Sequence, residues 1–178
     1  MKLFAKITVI FVLVLLTTQQ SVFAATTPTI QTINLGNNST TIFNHSGFLS
    51  QSAGWSLPEA QGTWSVSSQA ELNLSFPKFN KEAVVAFSSW GMVTQKNPVV
   101  TLTILVNSKT VGTYIYNFSY NKSVRLFDVP ANVLMGNFRN VPVIFRITGN
   151  KSPFDLGLSS DKRNLGIYLE DVTLKYIN

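Results

Sequence analysis

Short runs in which apolar and polar residues alternate recur along the chain. The clearest extends from Ala70 to Phe76, where every second residue is apolar. Successive side chains of a strand point to opposite faces, so this run predicts a strand with one buried and one wet face. Comparable runs predict further strands at residues 83–89, 99–106, 110–118, 124–129, 141–148 and 165–176.

Turn-forming residues separate these predicted strands. Asn107-Ser108-Lys109 predicts a tight hairpin, and Pro130 ends a strand before one helical turn at 131–135. In the last strand the apolar phase shifts at Glu170-Asp171, which predicts a β-bulge. No segment has a long helical period. About eight to ten strands in one domain therefore predict an all-β fold, a single antiparallel β-sandwich.

The first residues have the order of a secretory signal peptide. Lys2 and Lys6 precede an apolar run at 7–16, and Val22-Phe23-Ala24 places small residues at a cleavage site. The apolar run is about ten residues long, whereas a membrane-spanning helix needs roughly 20. We therefore expect a signal peptide at 1–24, a flexible leader at 25–28 and the β-sandwich domain at 29–178.

Composition narrows the classes of function. The chain has no cysteine, which excludes disulfides, thiolate metal sites and cysteine nucleophiles. Export without cysteine favours the periplasm or the exterior of a Gram-negative bacterium. The formal net charge is +6, and removal of Lys2 and Lys6 leaves +4. These basic residues are scattered, so we expect no nucleic-acid partner, while weak attraction to anionic lipid headgroups or glycans stays open.

Catalytic motifs are missing. His45 is the one histidine, and no Gly-x-Ser-x-Gly elbow, Walker loop or His-Glu-x-x-His helix is present. Glycoside hydrolysis needs two carboxylates across a cleft. Glu170 and Asp171 are neighbours, whose side chains point to opposite faces unless the bulge turns both the same way. We predict no enzyme activity, no metal site and no cofactor.

Two polar-aromatic clusters, at 54–65 and 152–166, have the residue types of sugar sites. Tryptophan faces stack on pyranose rings, while carboxylates and guanidinium groups meet hydroxyls. In the alternative interpretation Trp64 is a core residue and the charged side chains tie loops together. The candidate ligand-binding residues are Trp55, Glu59, Trp64, Asp161 and Arg163.

The same clusters carry a family resemblance. The chain resembles the jelly-roll-like β-sandwich module of unknown function that is appended to bacterial membrane glycosyltransferases and also occurs in free-standing exported proteins. The resemblance implies that fold and a glycan-related setting. The matching positions are Trp55, Pro58, Glu59, Gly62, Trp64, Ser65, Val106, Asn107, Val111, Gly112, Arg125, Pro130, Ser152, Pro153, Gly157, Ser160, Asp161, Arg163 and Gly166.

Two functions from different classes follow. The first is a secreted, non-catalytic binding module for a glycan or another polar cell-surface ligand. The second is a secreted interaction or effector protein that meets a host or envelope partner, or an anionic membrane, through basic residues. The oligomeric state stays open. We also expect the Glu59 loop to lie against the Arg163 loop through an ion pair, and Trp55 to be more exposed than Trp64.

The signal-peptide prediction is tested by intact-mass analysis of the protein exported from a bacterial host. We expect a mature chain that begins at Ala25, because the residues at 22–24 suit the peptidase. A mass that retains Met1 would contradict the prediction.

Overall fold

The computed structural model describes residues 29–34, 49–51, 53–76 and 82–176. The predicted signal peptide at 1–24, the leader at 25–28 and His45 lie outside these residues. The described strands are β1 (Thr29–Asn34), β2 (Leu49–Gln51), β3 (Thr63–Trp64), β4 (Gln69–Leu74), β5 (Glu82–Gly91), β6 (Val100–Val106), β7 (Lys109–Tyr116), β8 (Ser123–Pro130), β9 (Val141–Thr148) and β10 (Ile167–Tyr176). A 3₁₀ turn spans Ala131–Leu134 and a short helix, α1, spans Pro153–Leu156.

The strands form two antiparallel sheets. In the first sheet the order is β1-β10-β5-β8, and β3 also pairs with β10. In the second sheet the order is β2-β4-β9-β6-β7. From β3 to β10 the chain crosses between the sheets at every connection except the β6-β7 hairpin, as in a jelly roll, with β3-β10-β5-β8 facing β4-β9-β6-β7. The predicted all-β sandwich with eight to ten strands is confirmed.

The core lies between the sheets, and the alternating runs supply it. Ala70, Leu72 and Leu74 of β4 face inward and are almost fully buried. The same alternation brings every second residue of β6 into the core, from Val100 to Val106. Burial of this apolar surface is the main force that holds the two sheets together. Among the described residues, no helix is long and apolar enough to cross a membrane.

The predicted turns and the bulge are present. Asn107 and Ser108 have positive φ values of 48° and 65°, as a two-residue hairpin turn requires. The pairing of β10 with β5 shifts register between Leu169 and Asp171, so the predicted bulge at Glu170-Asp171 is confirmed. The strand pattern did not predict β1, β2, β3 or α1, which are short or lack clear alternation.

Ser65 joins the strand β3 to the last strand. It is fully buried, and its Oγ accepts a hydrogen bond of 2.9 Å from the backbone N–H of Ile167. Its own backbone N–H donates to the Ile167 carbonyl at 2.8 Å. A buried donor that loses its partner is costly, so Ser65 is a structural requirement of this edge of the sandwich.

We therefore expect Ser65→Ala to lower the free energy of unfolding by about 1–3 kcal/mol, because it leaves the Ile167 N–H unpaired. Denaturant titration followed by circular dichroism measures the change. Ser68→Ala is the matched control, since Ser68 is exposed. Equal stabilities of the two variants would show that the Ser65 hydroxyl is dispensable.

Candidate functional site

The segment 151–165 is shaped by local backbone chemistry. Ser152 caps α1, because its Oγ accepts a hydrogen bond of 3.0 Å from the Asp155 N–H. Pro153 occupies the first turn, and Gly157 ends the helix with a φ of 74°, a conformation that favours glycine. Much of the Ser-Pro-x-x-Leu-Gly motif is therefore explained by the way this loop folds.

Asp161 and Arg163 form the next turn. The Asp161 Oδ1 accepts a hydrogen bond of 2.9 Å from the Arg163 backbone N–H, while the guanidinium contacts both carboxylate oxygens. The same guanidinium lies 3.2 Å from the Glu59 Oε1. The predicted ion pair between the Glu59 and Arg163 loops is thus present, and Arg163 holds two carboxylates at once.

This ion-pair cluster is open to solvent. The side chains of Arg163 and Glu59 are 44% and 41% exposed. The hydrogen-bonded Arg163 guanidinium lowers the pKa of Asp161 below its usual value, so that this carboxylate stays ionised. Exposed ion pairs contribute little to stability. The cluster is therefore better suited to offering polar groups to a ligand than to locking the loops.

Trp55 is not a free ligand platform. Its indole Nε1 donates a hydrogen bond of 2.9 Å to the Glu71 carbonyl, and its ring meets Phe145 edge to face, with centroids 5.4 Å apart. The ring packs against the hydrophobic core. Gly54 allows the chain before Trp55 to lie close to β4, because a Cβ at this position would overlap the Gln69 carbonyl. Trp55 and Trp64 are both half-buried, so which of them is the more exposed stays a prediction. The idea that its loop position frees the Trp55 ring is wrong, because that ring packs on Phe145.

Trp64 lies on the opposite side, on the outer face of the first sheet. Its neighbours Thr63 and Ser65 are fully buried, while Trp64 is half-buried. It pairs with Tyr168, which in turn pairs with Trp90 of β5. The alternative interpretation of Trp64 as a core residue is also wrong, because strand alternation turns it outward. Trp64, Tyr168 and Trp90 form one row across three strands, which we call the aromatic row.

The rings of the aromatic row are in direct contact but not coplanar. Trp90 stacks on Tyr168, with centroids 4.1 Å apart and a 27° interplanar angle. Trp64 meets Tyr168 at 65° and Trp90 at 88°. Tyr168 lies beneath, only 5% exposed. The two tryptophans therefore form the accessible part of the row, and Tyr168 supports them.

The aromatic row and the ion-pair cluster are neighbours. Burial raises the pKa of Tyr168, hydrogen bonding with the Gln61 backbone opposes that shift, and the nearby carboxylates of Glu59 and Glu170 add to it. Both carboxylates thus lie within electrostatic range of the Tyr168 hydroxyl. Gly62 permits the close approach of this loop, because a Cβ there would overlap the Leu169 carbonyl.

The bulge in β10 places a second polar group beside the row. Leu169 and Val172 both face the core, so Glu170 and Asp171 between them turn to the outer face together. Glu170 accepts hydrogen bonds from the Ser88 Oγ at 2.8 Å and the Lys122 Nζ at 3.0 Å. Burial raises the pKa of Asp171 above its usual value, and the neighbouring Glu170 adds to the shift.

Four residues of the candidate site were not predicted from the sequence: Trp90, Tyr168, Lys122 and Glu170. A signal for two of them was present. Trp90 lies between Ser89 and Gly91, and Tyr168 between Ile167 and Leu169, all of which face inward. A large aromatic residue at a wet-face position of a strand is the pattern that would have identified them.

Of the five residues predicted for ligand binding, the structure brings Glu59, Asp161 and Arg163 together and places Trp64 beside Tyr168. Trp55 lies apart from them, at the core. Within the described ranges, no group of three or more His, Cys, Asp or Glu side chains is placed to hold a metal ion.

Comparison with known proteins gives only distant similarities. No protein-family model and no curated protein matches the chain. Among solved structures, the carbohydrate-binding module CBM36 in complex with calcium and xylotriose aligns with 81% of this chain and 98% of its own, at 7% identity and a TM-score of 0.35. The CBM36-1 domain of a multidomain xylanase from the hindgut metagenome of Trinervitermes trinervoides aligns with 84% and 99%, at 6% identity and 0.36.

The xylan-binding module CBM15 aligns with 84% of this chain and 97% of its own, at 14% identity and a TM-score of 0.38. Similarities at this level carry no conclusion about the ligand of this chain. The jelly-roll topology rests on the strand order described above. The resemblance to the glycosyltransferase-associated module stays a prediction.

The exposure of the ion-pair cluster leads to a stability prediction. We expect Glu59→Gln to lower the free energy of unfolding by less than about 1 kcal/mol, because the pair with Arg163 is solvent-exposed. The difference should vanish in about 1 M salt, where exposed charges are screened. Urea titration at low and high salt measures both effects. A large, salt-independent loss would instead make the pair a structural latch.

Proposed function

We propose that this protein is a non-catalytic module that binds a glycan on the outer face of its first sheet. The aromatic row is the observation that carries the proposal. Two half-buried tryptophans, Trp64 and Trp90, lie side by side over a buried tyrosine. Aromatic faces of this kind stack on the C–H surfaces of sugar rings. Trp64 contributes no ring to the core, and part of its indole stays exposed on the outer face.

Polar groups at the edges of the row complete a sugar site. The Glu59 and Glu170 carboxylates lie within electrostatic range of the Tyr168 hydroxyl, and Arg163 is held in place by Asp161. Such groups accept and donate hydrogen bonds to hydroxyls in fixed directions. The Arg163 side chain is already ordered by its contacts, so a ligand would lose less conformational entropy on binding.

The angles between the rings favour a single glycan chain. Trp64 and Trp90 are nearly perpendicular, at 88°, so no flat surface can lie on both rings at once. A flexible chain, in contrast, can present successive sugar rings at different tilts. The proposed ligand is therefore a soluble oligosaccharide or a single polysaccharide strand, and the affinity is modest because few rings make contact.

A second candidate function concerns the connection between β7 and β8. Phe118 and Tyr120 are 65% and 68% exposed there, and Asn117 orders the turn by accepting from the backbone N–H groups of Ser119 and Tyr120. Exposed aromatic side chains are typical of membrane interfaces and of protein-binding surfaces. This loop supports the alternative proposal of an interaction protein that meets a membrane or a host or envelope partner.

Calorimetric titration with neutral xylo-, cello-, chito- and laminari-oligosaccharides tests the proposed function. We expect binding to at least one series. Trp90→Ala and Trp64→Ala should each lower the affinity at least about tenfold relative to the unaltered chain, since buried aromatic contacts dominate binding energy. Trp55→Phe is the matched control, because it keeps an aromatic ring against the core and lies off the row. Its affinity should equal that of the unaltered chain.

The same titrations at high salt and with anionic liposomes distinguish the two candidates. Stacking on the aromatic row should persist at high ionic strength, whereas attraction between surface charges should decline. No binding to any glycan, together with liposome binding that is lost in Phe118→Ser and Tyr120→Ser, would replace the proposed function by the alternative.

A further inference from the structure

Lys122 occupies a site for a cation on the aromatic row. Its Nζ lies 4.7 Å from the centroid of the Trp90 ring and 3.0 Å from the Glu170 Oε1. Tyr168 stacks on one face of Trp90, so the ammonium occupies the face that the tyrosine leaves open. A ring face and a carboxylate together are the two groups that bind an ammonium best in proteins.

The two partners of this ion pair differ in their surroundings. The Glu170 side chain is only 15% exposed and is held by Ser88, whereas the Lys122 side chain is 63% exposed. The carboxylate is thus fixed and largely desolvated, and needs a cation nearby. The lysine is on a long, flexible stem in solvent, so another cation can replace it at small cost.

The surrounding charge favours a second cation as well. The chain has eight acidic residues and a net charge of +6, yet four of the acids belong to this region. Glu170 and Asp171 are on the outer face of β10, and Glu59 and Asp161 are in the neighbouring ion-pair cluster. Among the described residues, Lys122 and Arg163 are the cations in ion pairs with these acids. This local excess of negative charge on a basic protein disfavours an acidic glycan and favours a cationic group on the ligand.

We propose that the glycan carries a free amino group, and that this ammonium takes the place of Lys122 over Trp90 and beside Glu170. The inference rests on the proposed glycan-binding function and names its ligand class as an amino sugar that is not acetylated. The neighbouring sugar ring would then stack on Trp64, because Tyr168 and the ammonium take the two faces of Trp90. Lys122 becomes a specificity-determining residue, because only a ligand with its own cation can both displace it and satisfy Glu170.

Chitosan and chitin oligosaccharides of equal length are the matched probes, since they differ only in acetylation of the amine. At a pH that keeps the chitosan amine protonated, we expect chitosan to bind about tenfold tighter than chitin. Glu170→Gln should reduce this preference to less than about threefold, because the fixed carboxylate is lost. Circular dichroism confirms that the variant is folded.

Lys122→Met tests the displacement directly and does not depend on Glu170→Gln. The substitution frees the Trp90 ring face and the Glu170 carboxylate. Chitosan should therefore bind this variant more tightly than it binds the unaltered chain, while the affinity for chitin changes less. Lys109→Met is the control, because it makes the same charge change at an exposed hairpin position away from the row. An equal gain in both variants would reduce the effect to net charge and overturn the inference.

The remaining outcomes separate this inference from the proposed function. Equal binding of chitosan and chitin, lost in Trp90→Ala, would overturn the amino-sugar assignment and leave the glycan-binding function standing. Failure of chitosan, chitin and every neutral oligosaccharide to bind would overturn both.

Discussion

The structure depends on one inserted residue in its last strand. Strand β10 runs along β5 from end to end and also pairs with β1 and β3. Leu169 and Val172 both face the core although two residues separate them, which only a bulge permits. Without it, one half of the strand would turn its leucine and valine side chains to solvent, and the sandwich would lose part of its core.

The same bulge assembles the proposed site. Because Glu170 and Asp171 both turn outward, the outer face of β10 carries two neighbouring carboxylates. Lys122 forms an ion pair with Glu170, and Arg163 pairs with Glu59 in the neighbouring loop. The single bulge thus has two effects. It keeps the apolar side chains of β10 in the core, and it turns two carboxylates to the outer face. A regular strand would give a normal core on one half and a single carboxylate outside.

Many residues of the two motifs, at 54–65 and 152–166, have structural roles. Ser152 caps a helix, Gly157 ends it, Gly54 and Gly62 allow close backbone approaches, and Ser65 satisfies a buried N–H. A motif of this kind identifies a way of folding loops more than it identifies a ligand. The groups left over for recognition are those with exposed side chains, chiefly Glu59 and Arg163, together with the tryptophans of the aromatic row.

By itself, the sequence determined the β-sandwich, most strand positions, the Asn107-Ser108 turn and the bulge, because strand alternation and turn chemistry are local properties. It also pointed to Glu59 and Arg163 as partners, through charge and loop length. Only the tertiary structure decided which tryptophan is available. Trp55 and Trp64 have similar neighbours along the chain, but strand pairing turns one ring onto Phe145 and the other outward beside Tyr168 and Trp90. Those contacts involve four strands, β3, β5, β9 and β10, and a pattern along one chain does not specify which strands become neighbours.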